Sequence, residues 1–255
     1  MRARTIVQSL GLLCLSHLVG GCAGSGADPV APPAPPLAPD EPGASTLTLF
    51  MSRGCATFEG VPCPLDRPLM SGVHEFVLMR VEGVHRGDEA TVTSSDPGVL
   101  AVDASASGVL EGTTYSASFH VTAVRAGSTT LTVTRGGVTL ATATVRVADP
   151  ARLDVVVEQM ENPITTERVD RLALRPGTRA SIVGVPRDAQ GQALYANDGV
   201  EWSVPDTSRV NLTWANRSGS RIVDDHVYLE ARAPGAEVLT VRAGNLTRSI
   251  DVEVR

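Results

Sequence analysis

The chain has 255 residues and a net charge of −6, and all 22 of its basic residues are arginine. This acidic balance argues against a nucleic-acid partner, because nucleic-acid binding needs concentrated positive charge. Aromatic residues make up 4% of the chain, whereas valine, threonine, alanine and glycine are abundant. This composition favours β-strands around cores of small residues.

The first 21 residues are predicted to be a secretory signal peptide. Arg2 and Arg4 precede an apolar stretch, residues 6–21, that is too short and too interrupted by polar residues to span a bilayer. The stretch ends in Leu18-Val19-Gly20-Gly21-Cys22, which resembles the lipobox of bacterial lipoproteins. The resemblance implies that Cys22 is lipidated and anchors the mature chain to a membrane. The alternative is cleavage after Ala23, which would release a soluble protein.

Residues 22–45 are predicted to be a lipid-anchored, disordered tether. From Ala23 onwards this segment is dense in proline, alanine and glycine and shows no apolar periodicity, so it cannot bury enough surface to fold. Proline-rich spacers run extended at about 3.1 Å per residue. Ala23, rather than an aspartate, follows the lipobox cysteine. In a bacterial cell envelope with two membranes, the resemblance to sorted lipoproteins therefore implies the outer membrane.

Two copies of one strand pattern follow the tether. The segment around Val92, with Ser-Ser-Asp-Pro-Gly-Val after it, is followed by a Gly-Ser-Thr-Thr-Leu-Thr-Val segment at residues 127–133. In the second copy, Trp202 stands at the position of Val92, and the later segment is Gly-Ala-Glu-Val-Leu-Thr-Val at residues 235–241. The offsets between the copies are 110 and 108 residues, close to the roughly 100 residues of an immunoglobulin-type sandwich.

Local patterns support an all-β fold of two tandem immunoglobulin-like β-sandwiches. Apolar and polar residues alternate over residues 141–147 and 250–255, which is typical of strands with one buried face. Glycine-containing segments at residues 135–137 and 242–245 predict tight hairpins before these strands. Pro150 follows the first of them, and we therefore expect the two sandwiches to comprise residues 46–149 and 150–255.

These residues resemble the bacterial Ig-like domains of group 2, which occur in intimins, invasins and many other surface proteins. The shared features are the Ser-Ser-Asp-Pro segment, the later Leu-Thr-Val strand and the terminal Thr-Ala-Thr-Val strand. The first copy departs from the second by having Val92 in place of Trp202 and by an insertion around residues 55–68; the second lacks a proline after Asp206. Because these residues belong to cores and turns, the resemblance implies a fold and says little about function.

Cys55 and Cys63 are predicted to form a disulfide in the exported protein. They are separated by seven residues, and an oxidising compartment favours bridging of such a pair. A redox pair usually has two residues between its cysteines, and a structural zinc site needs four ligands. Neither alternative fits these two cysteines as well as the disulfide does.

No catalytic motif, metal motif or cofactor-binding motif occurs in the sequence. His74, His85, His120 and His226 are dispersed along the chain, and no His-Glu-x-x-His pattern is present. The triplet Asp224-Asp225-His226 is the densest polar group of the second copy. A hairpin turn explains the triplet better than a calcium or zinc site does, since adjacent strand residues point to opposite faces.

Two hypotheses for function remain. The first is a non-catalytic envelope lipoprotein without a cofactor, whose sandwiches serve adhesion, interaction with a protein or carbohydrate partner, or spacing. The alternative is a lipoprotein that binds a small ligand such as a carbohydrate or calcium. Trp202 is expected in the core of the second sandwich, while Trp214 either shares the face of Leu212 or lies in an exposed loop suited to recognition.

Overall fold

The computed structural model describes residues 47–51, 63–82, 90–103, 107–111, 114–159, 165–215 and 217–255. These residues form β-strands, turns and one short 3-10 helix at Asn197–Gly199, with no α-helix among them. None of them belongs to a helix long and apolar enough to cross a membrane. The expectation of an all-β fold is therefore confirmed.

Residues before Asp149 supply the strands of the first sandwich. They are β1 (Leu47–Met51), β2 (Cys63–Pro64), β3 (Leu69–Met70), β4 (His74–Glu82), β5 (Thr91–Ser94), β6 (Leu100–Val102), β7 (Ser107–Glu111), β8 (Thr114–Ala123), β9 (Gly127–Arg135) and β10 (Val138–Ala148). One sheet has the order β2-β1-β4-β8-β6, with β7 also paired to β8, and the other has the order β3-β10-β9-β5.

Residues after Ala151 supply the strands of the second sandwich. They are β11 (Arg152–Gln159), β12 (Thr165–Arg168), β13 (Arg171–Leu174), β14 (Arg179–Arg187), β15 (Val200–Ser203), β16 (Val210–Trp214), β17 (Arg217–Gly219), β18 (Arg221–Val223), β19 (His226–Ala231), β20 (Gly235–Ala243) and β21 (Leu246–Val254). The sheet orders are β12-β11-β14-β19-β16-β17 and β13-β21-β20-β15-β18.

The two sandwiches repeat one topology. Strands β1, β4, β8 and β6 share a sheet in the same order as β11, β14, β19 and β16, and the hairpin β9–β10 beside β5 matches the hairpin β20–β21 beside β15. In immunoglobulin-type sandwiches, strands A, B, E and D form one sheet and strands C, F and G the other. Both halves follow that rule. Each also has a short strand, β3 or β13, that runs parallel to the last strand.

The internal repeat predicted from the sequence appears as equivalent strand positions. Val92 in β5 pairs with Val133 in β9, and Trp202 in β15 pairs with Val241 in β20. All four side chains are buried. Val92 and Trp202 therefore occupy equivalent strands, as the spacing indicated, and the larger indole accounts for a bulkier centre in the second core.

Both predicted hairpins are present. Gly136 and Gly137 have φ of 54° and 82° between β9 and β10, and Gly244 has φ of 58° between β20 and β21. Residues with side chains rarely adopt these left-handed values, which explains why glycine stands at these turns. The alternation after each turn is also confirmed, because the apolar residues Val145, Val147, Ile250, Val252 and Val254 are buried.

An additional edge strand follows the first strand of both sandwiches: β2 pairs with β1, and β12 pairs with β11. The segment that leads to this edge strand is longer in the first copy, residues 52–62, than in the second, residues 160–164, which agrees with the insertion expected around residues 55–68. The short, weakly alternating sequence of residues 165–168 conceals the second edge strand from sequence reasoning.

Candidate functional site

Direct backbone hydrogen bonds join the two sandwiches. Met70 N donates to the carbonyl oxygen of Tyr195 at 2.8 Å, and Tyr195 N donates to the carbonyl oxygen of Pro68 at 2.9 Å. Leu69 and Tyr195 therefore form a parallel β-bridge. The described residues of both sandwiches belong to one compact unit, Asp40–Arg255. We call the contact between residues 66–75 and residues 194–199 the junction.

The side chain of Tyr195 crosses the junction. Its hydroxyl donates to Asp66 Oδ1 at 2.9 Å, and the Arg67 guanidinium lies 4.3 Å from the centre of its ring. A cation over an aromatic face is attracted by the negative potential of the ring. Burial raises the pKa of Tyr195, so the phenol remains a hydrogen-bond donor at physiological pH.

Apolar residues exclude water from the same contact. Met70 and Val73 of the first sandwich are buried, as are Leu194 and Ala196 of the second. Gly199 allows the close approach, since an added Cβ would overlap Val73 Cγ1 and lie 2.6 Å from Met70 Cε. The junction thus has the dense packing of a protein interior rather than the sparse contacts of a flexible linker.

Carboxylates border the junction on one side. Glu75 is buried near the start of β4 and accepts a hydrogen bond from Asp198 N across the junction at 3.4 Å. Burial, and then the negative charges of Asp224, Glu75 and Glu158, raise the pKa of Asp225 well above the usual value of an aspartate. Among the described residues, no group of three or more His, Cys, Asp or Glu side chains is placed to hold a metal ion.

The triplet Asp224-Asp225-His226 lies in a connection between sheets. Strand β18 before it pairs with β15 in one sheet, and β19 after it pairs with β14 in the other. The expectation of a hairpin turn was therefore wrong, because the two flanking strands do not pair with each other. Asp224 accepts a hydrogen bond from the indole of Trp202 at its carbonyl oxygen, 2.7 Å away, which ties the backbone of this connection to the core.

A polar cluster lies on the outer face of the sheet that contains β11, β14 and β19. Ser181 Oγ lies 2.7 Å from His226 Nε2 and donates to Glu158 Oε2 at 3.2 Å. The side chains of His226 and Glu158 are each 7% exposed. Burial lowers the pKa of His226 to about 4, and the positive charge of Arg179 contributes, so the imidazole is neutral at pH 7.

This cluster does not have the geometry of a catalytic triad. A triad needs the acid on one ring nitrogen and the hydroxyl on the other, but Glu158 Oε2 lies 3.8 Å from the same Nε2 that contacts Ser181. Glu158 therefore does not hold Nδ1 and orient the imidazole towards the serine as the acid of a triad does.

Aromatic side chains surround the polar cluster. The ring centre of Trp214 lies 4.2 Å from that of His226 and 5.7 Å from that of Tyr228. The Arg179 guanidinium lies 3.6 Å from the centre of the Tyr228 ring. Trp214 is half-buried at the end of β16, packed on these rings rather than projecting from a loop. Trp202, by contrast, is buried in the core as the sequence predicted.

The dispersed histidines separate into two structural groups. His74 and His120 stack with ring centres 4.9 Å apart on the neighbouring strands β4 and β8, whereas His226 lies in the cluster of the second sandwich. His74 Nδ1 lies 3.1 Å from Thr122 Oγ1 and from Asp103 Oδ2. The expectation of hydrogen-bonded histidines is confirmed for His74 and His226, while His85 lies outside the described residues.

The predicted modification residues lie at or beyond the limits of the structure. Cys22 and Cys55 are outside the described residues, and Cys63 is described only as part of the edge strand β2. Lipidation of Cys22 and the disulfide between Cys55 and Cys63 therefore stay predictions. Sequence reasoning did not find Tyr195, Glu158 or Ser181, because none stands in a motif and their partners are distant in sequence.

The topology and the site define an all-β protein with two immunoglobulin-like β-sandwiches joined through a packed junction. No protein-family model and no curated protein matches its sequence.

Solved structures of bacterial surface proteins are similar to it at a distance. Domains 4 and 5 of the S-layer protein SbsC share 19% identity over 65% of this chain and 76% of that chain, with a TM-score of 0.30. The Yersinia pseudotuberculosis adhesin InvE shares 13% identity over 84% of this chain and 60% of that chain, with a TM-score of 0.31. Invasin, a bacterial integrin-binding protein, shares 14% identity over 84% of this chain and 40% of that chain, with a TM-score of 0.27. TM-scores this low support no transfer of function, and the fold assignment rests on the order and pairing of the strands.

Proposed function

We propose that this protein is a non-catalytic lipoprotein of the bacterial cell envelope, in which two immunoglobulin-like sandwiches form one rigid module that is held away from the membrane. The lipid on Cys22 would anchor the chain in the outer membrane, and residues 23–45 would act as an extended tether between this anchor and the sandwiches. The sandwiches would belong to the group 2 type found in intimins and invasins, and would serve spacing and interaction with a protein or carbohydrate partner.

The junction carries this proposal. Two backbone hydrogen bonds, the Tyr195–Asp66 hydrogen bond and a buried apolar contact all join the sandwiches. Contacts of this kind hold two units in one orientation, whereas a linker without them leaves domain motion as the default. A fixed orientation suits a spacer or a display module, because it determines where the loops and edge strands of one sandwich stand relative to those of the other.

A non-catalytic role is supported by the state of the polar cluster. Ser181 and Glu158 both lie near the same ring nitrogen of His226, which is not the arrangement of a catalytic triad. The groove along β13, β20 and β21 gives little support to the alternative hypothesis that the protein binds a small ligand. This groove, of about 550 Å³, is open and its lining residues include no aromatic side chain on which a sugar ring could stack.

Small-angle X-ray scattering of the full chain with Cys22→Ala tests the rigid module. We expect one distance distribution that fits a fixed pair of sandwiches. Gly199→Ala, which introduces a methyl against Met70 and Val73, should broaden that distribution and increase the radius of gyration. Gly98→Ala is the matched control, since its methyl would meet only the side chains of Asp96 and Arg125. A flexible pair in the parent chain would contradict the proposal.

A further inference from the structure

Four arginine side chains converge on the carboxylate of Asp154. Arg187 Nε lies 2.8 Å from Asp154 Oδ2, and Arg152 Nε lies 3.1 Å from Oδ1. Arg168 Nε and the guanidinium of Arg248 lie 3.5 Å and 3.9 Å from Oδ1. An aspartate bears one negative charge, so the carboxylate cannot balance the charge around it.

Strand pairing explains why these side chains meet. Arg152 in β11 is the direct cross-strand partner of Arg187 in β14. Asp154 lies two residues from Arg152 and therefore on the same face, which is the outer face because Leu153 and Val155 point into the core. Like charges directly opposite each other destabilise a sheet, and an arginine pair at this position therefore requires an anion.

Arg248 differs from the other three arginines because two backbone carbonyls and a second carboxylate occupy its donors, whereas among the described residues only Arg187 of the others donates to a carbonyl, that of Gly191, at 3.0 Å. It donates to the carbonyl oxygens of Leu153 and Val169 at 3.1 Å and 3.0 Å and pairs with Asp170. Its side chain is 14% exposed. Arg248 thus closes the edge of the sandwich and is not accessible to a ligand.

Arg152, Arg168 and Arg187 remain accessible, with side chains 52%, 53% and 30% exposed. Asp154 is the one carboxylate within ion-pair distance of any of them among the described residues, and three guanidiniums over one carboxylate leave a local charge of +2. Each guanidinium has five N–H donors, far more than one carboxylate can accept. This local excess stands out in a chain whose net charge is −6.

We propose that Arg152, Arg168 and Arg187 form a binding site for a phosphate monoester group on the outer face of the second sandwich. Such a group carries a charge of about −1.5 to −2 at pH 7 and has three strong acceptor oxygens, which matches both the local excess charge and the number of accessible guanidiniums. Guanidiniums bind phosphate oxygens in a bidentate manner. The site is independent of the proposed spacing function and would give the module a defined ligand chemistry.

Inorganic phosphate is the probe for this site. Isothermal titration of the full chain carrying Cys22→Ala, at constant ionic strength, should show saturable binding of phosphate and none of chloride. Arg168→Gln should weaken phosphate binding by about tenfold or more, since it removes a charge-assisted contact. The matched control is Arg171→Gln, because Arg171 is 69% exposed and pairs one-to-one with Glu253 at 2.9 Å; its phosphate affinity should equal that of the parent chain.

A second variant tests the charge balance directly. Asp154→Asn raises the local charge to +3, so it should bind phosphate more tightly than the parent chain, and phosphate should increase its melting temperature more than chloride does. Equal phosphate affinities for the parent chain, Arg168→Gln and Asp154→Asn would overturn the proposal. So would the absence of saturable phosphate binding in the parent chain.

Discussion

Tyr195 of the second sandwich donates its phenolic hydrogen bond to Asp66 of the first, 129 residues earlier in the sequence, at 2.9 Å. Tyr228, by contrast, packs with Arg179 and Trp214 within the second sandwich. The Tyr195 side chain is therefore the most direct measure of whether the two sandwiches stay docked in solution.

We expect Tyr195→Phe to loosen the junction without unfolding either sandwich. The change removes a hydrogen bond to a charged group, which contributes about 1 kcal/mol when its acceptor is as exposed as Asp66. A double-mutant cycle with Asp66→Ala, which removes the acceptor, should show a coupling energy of that size when measured by chemical denaturation. Additive effects of the two substitutions would show that the hydrogen bond is not formed in solution.

Trp202 is expected to be the largest single contributor to the core of the second sandwich. Trp202→Ala should lower the free energy of unfolding by about 3–5 kcal/mol, because it creates a cavity and leaves the Asp224 carbonyl oxygen without its indole partner. Trp214→Ala is the control, since Trp214 is only half-buried, and it should cost clearly less. Similar losses for both variants in urea unfolding would contradict the assigned burial.

His226 should make the protein less stable in acid. Its folded pKa, about 4, lies below the ordinary value of 6.5, so the unfolded chain binds more protons between these values and stability falls as pH decreases through that window. The loss attributable to His226 amounts to about 3 kcal/mol. It should be visible as the difference between the parent chain and His226→Gln in denaturation series from pH 7 to pH 4.

A control variant and a neighbouring carboxyl help to isolate the His226 effect. His74→Gln removes an imidazole whose side chain is 53% exposed, so it shows what the loss of an exposed histidine does to the same denaturation series. Burial raises the pKa of Glu158, and that carboxyl therefore contributes in the opposite direction, adding stability as the pH falls towards its ordinary pKa. An unchanged pH dependence in His226→Gln would show that the imidazole is not held neutral by the fold.

Cys55 and Cys63 are expected to be bridged in the exported protein. The bridge would close a short loop and stabilise the fold by about 2–3 kcal/mol in the chain-entropy model. Intact-mass measurement with and without reductant should differ by the mass of two hydrogen atoms. Rapid alkylation of both thiols in the absence of reductant would exclude the disulfide.

The predicted lipid anchor can be tested by labelling primary amines, because the chain contains no lysine and only its α-amino group could react. A mature chain that begins at Cys22 has one primary amine, on that residue, and N-acylation removes it. Protein from its native membrane should therefore partition into detergent and take up essentially no amine-reactive label, while Cys22→Ala stays unlipidated. One labelled amine on a detergent-partitioning protein would refute only the third acyl chain. One labelled amine on Gly24 of a water-soluble protein would refute the anchor itself.

The sequence by itself determined the strands, the hairpins and the repeat. Alternation over residues 250–254 and the glycines at residues 136, 137 and 244 act over a few neighbouring residues, so strand propensity and turn geometry can be read locally. The repeat spacing then identified Val92 and Trp202 as equivalent positions. The crossing of Asp224-Asp225-His226 between sheets was misread because a turn within one sheet and a turn between two sheets have the same polar composition.

Only the tertiary structure decided which distant side chains meet. Ser181, Glu158 and His226 lie on three different strands, and Arg187 reaches Asp154 from 33 residues away. Their proximity follows from strand order and register, which place cross-strand partners within contact distance whatever their separation in sequence. An acidic composition could not reveal a local group of arginines, because net charge averages over the whole surface, whereas the pairing of β11 with β12 and β14 gathers three guanidiniums around one carboxylate.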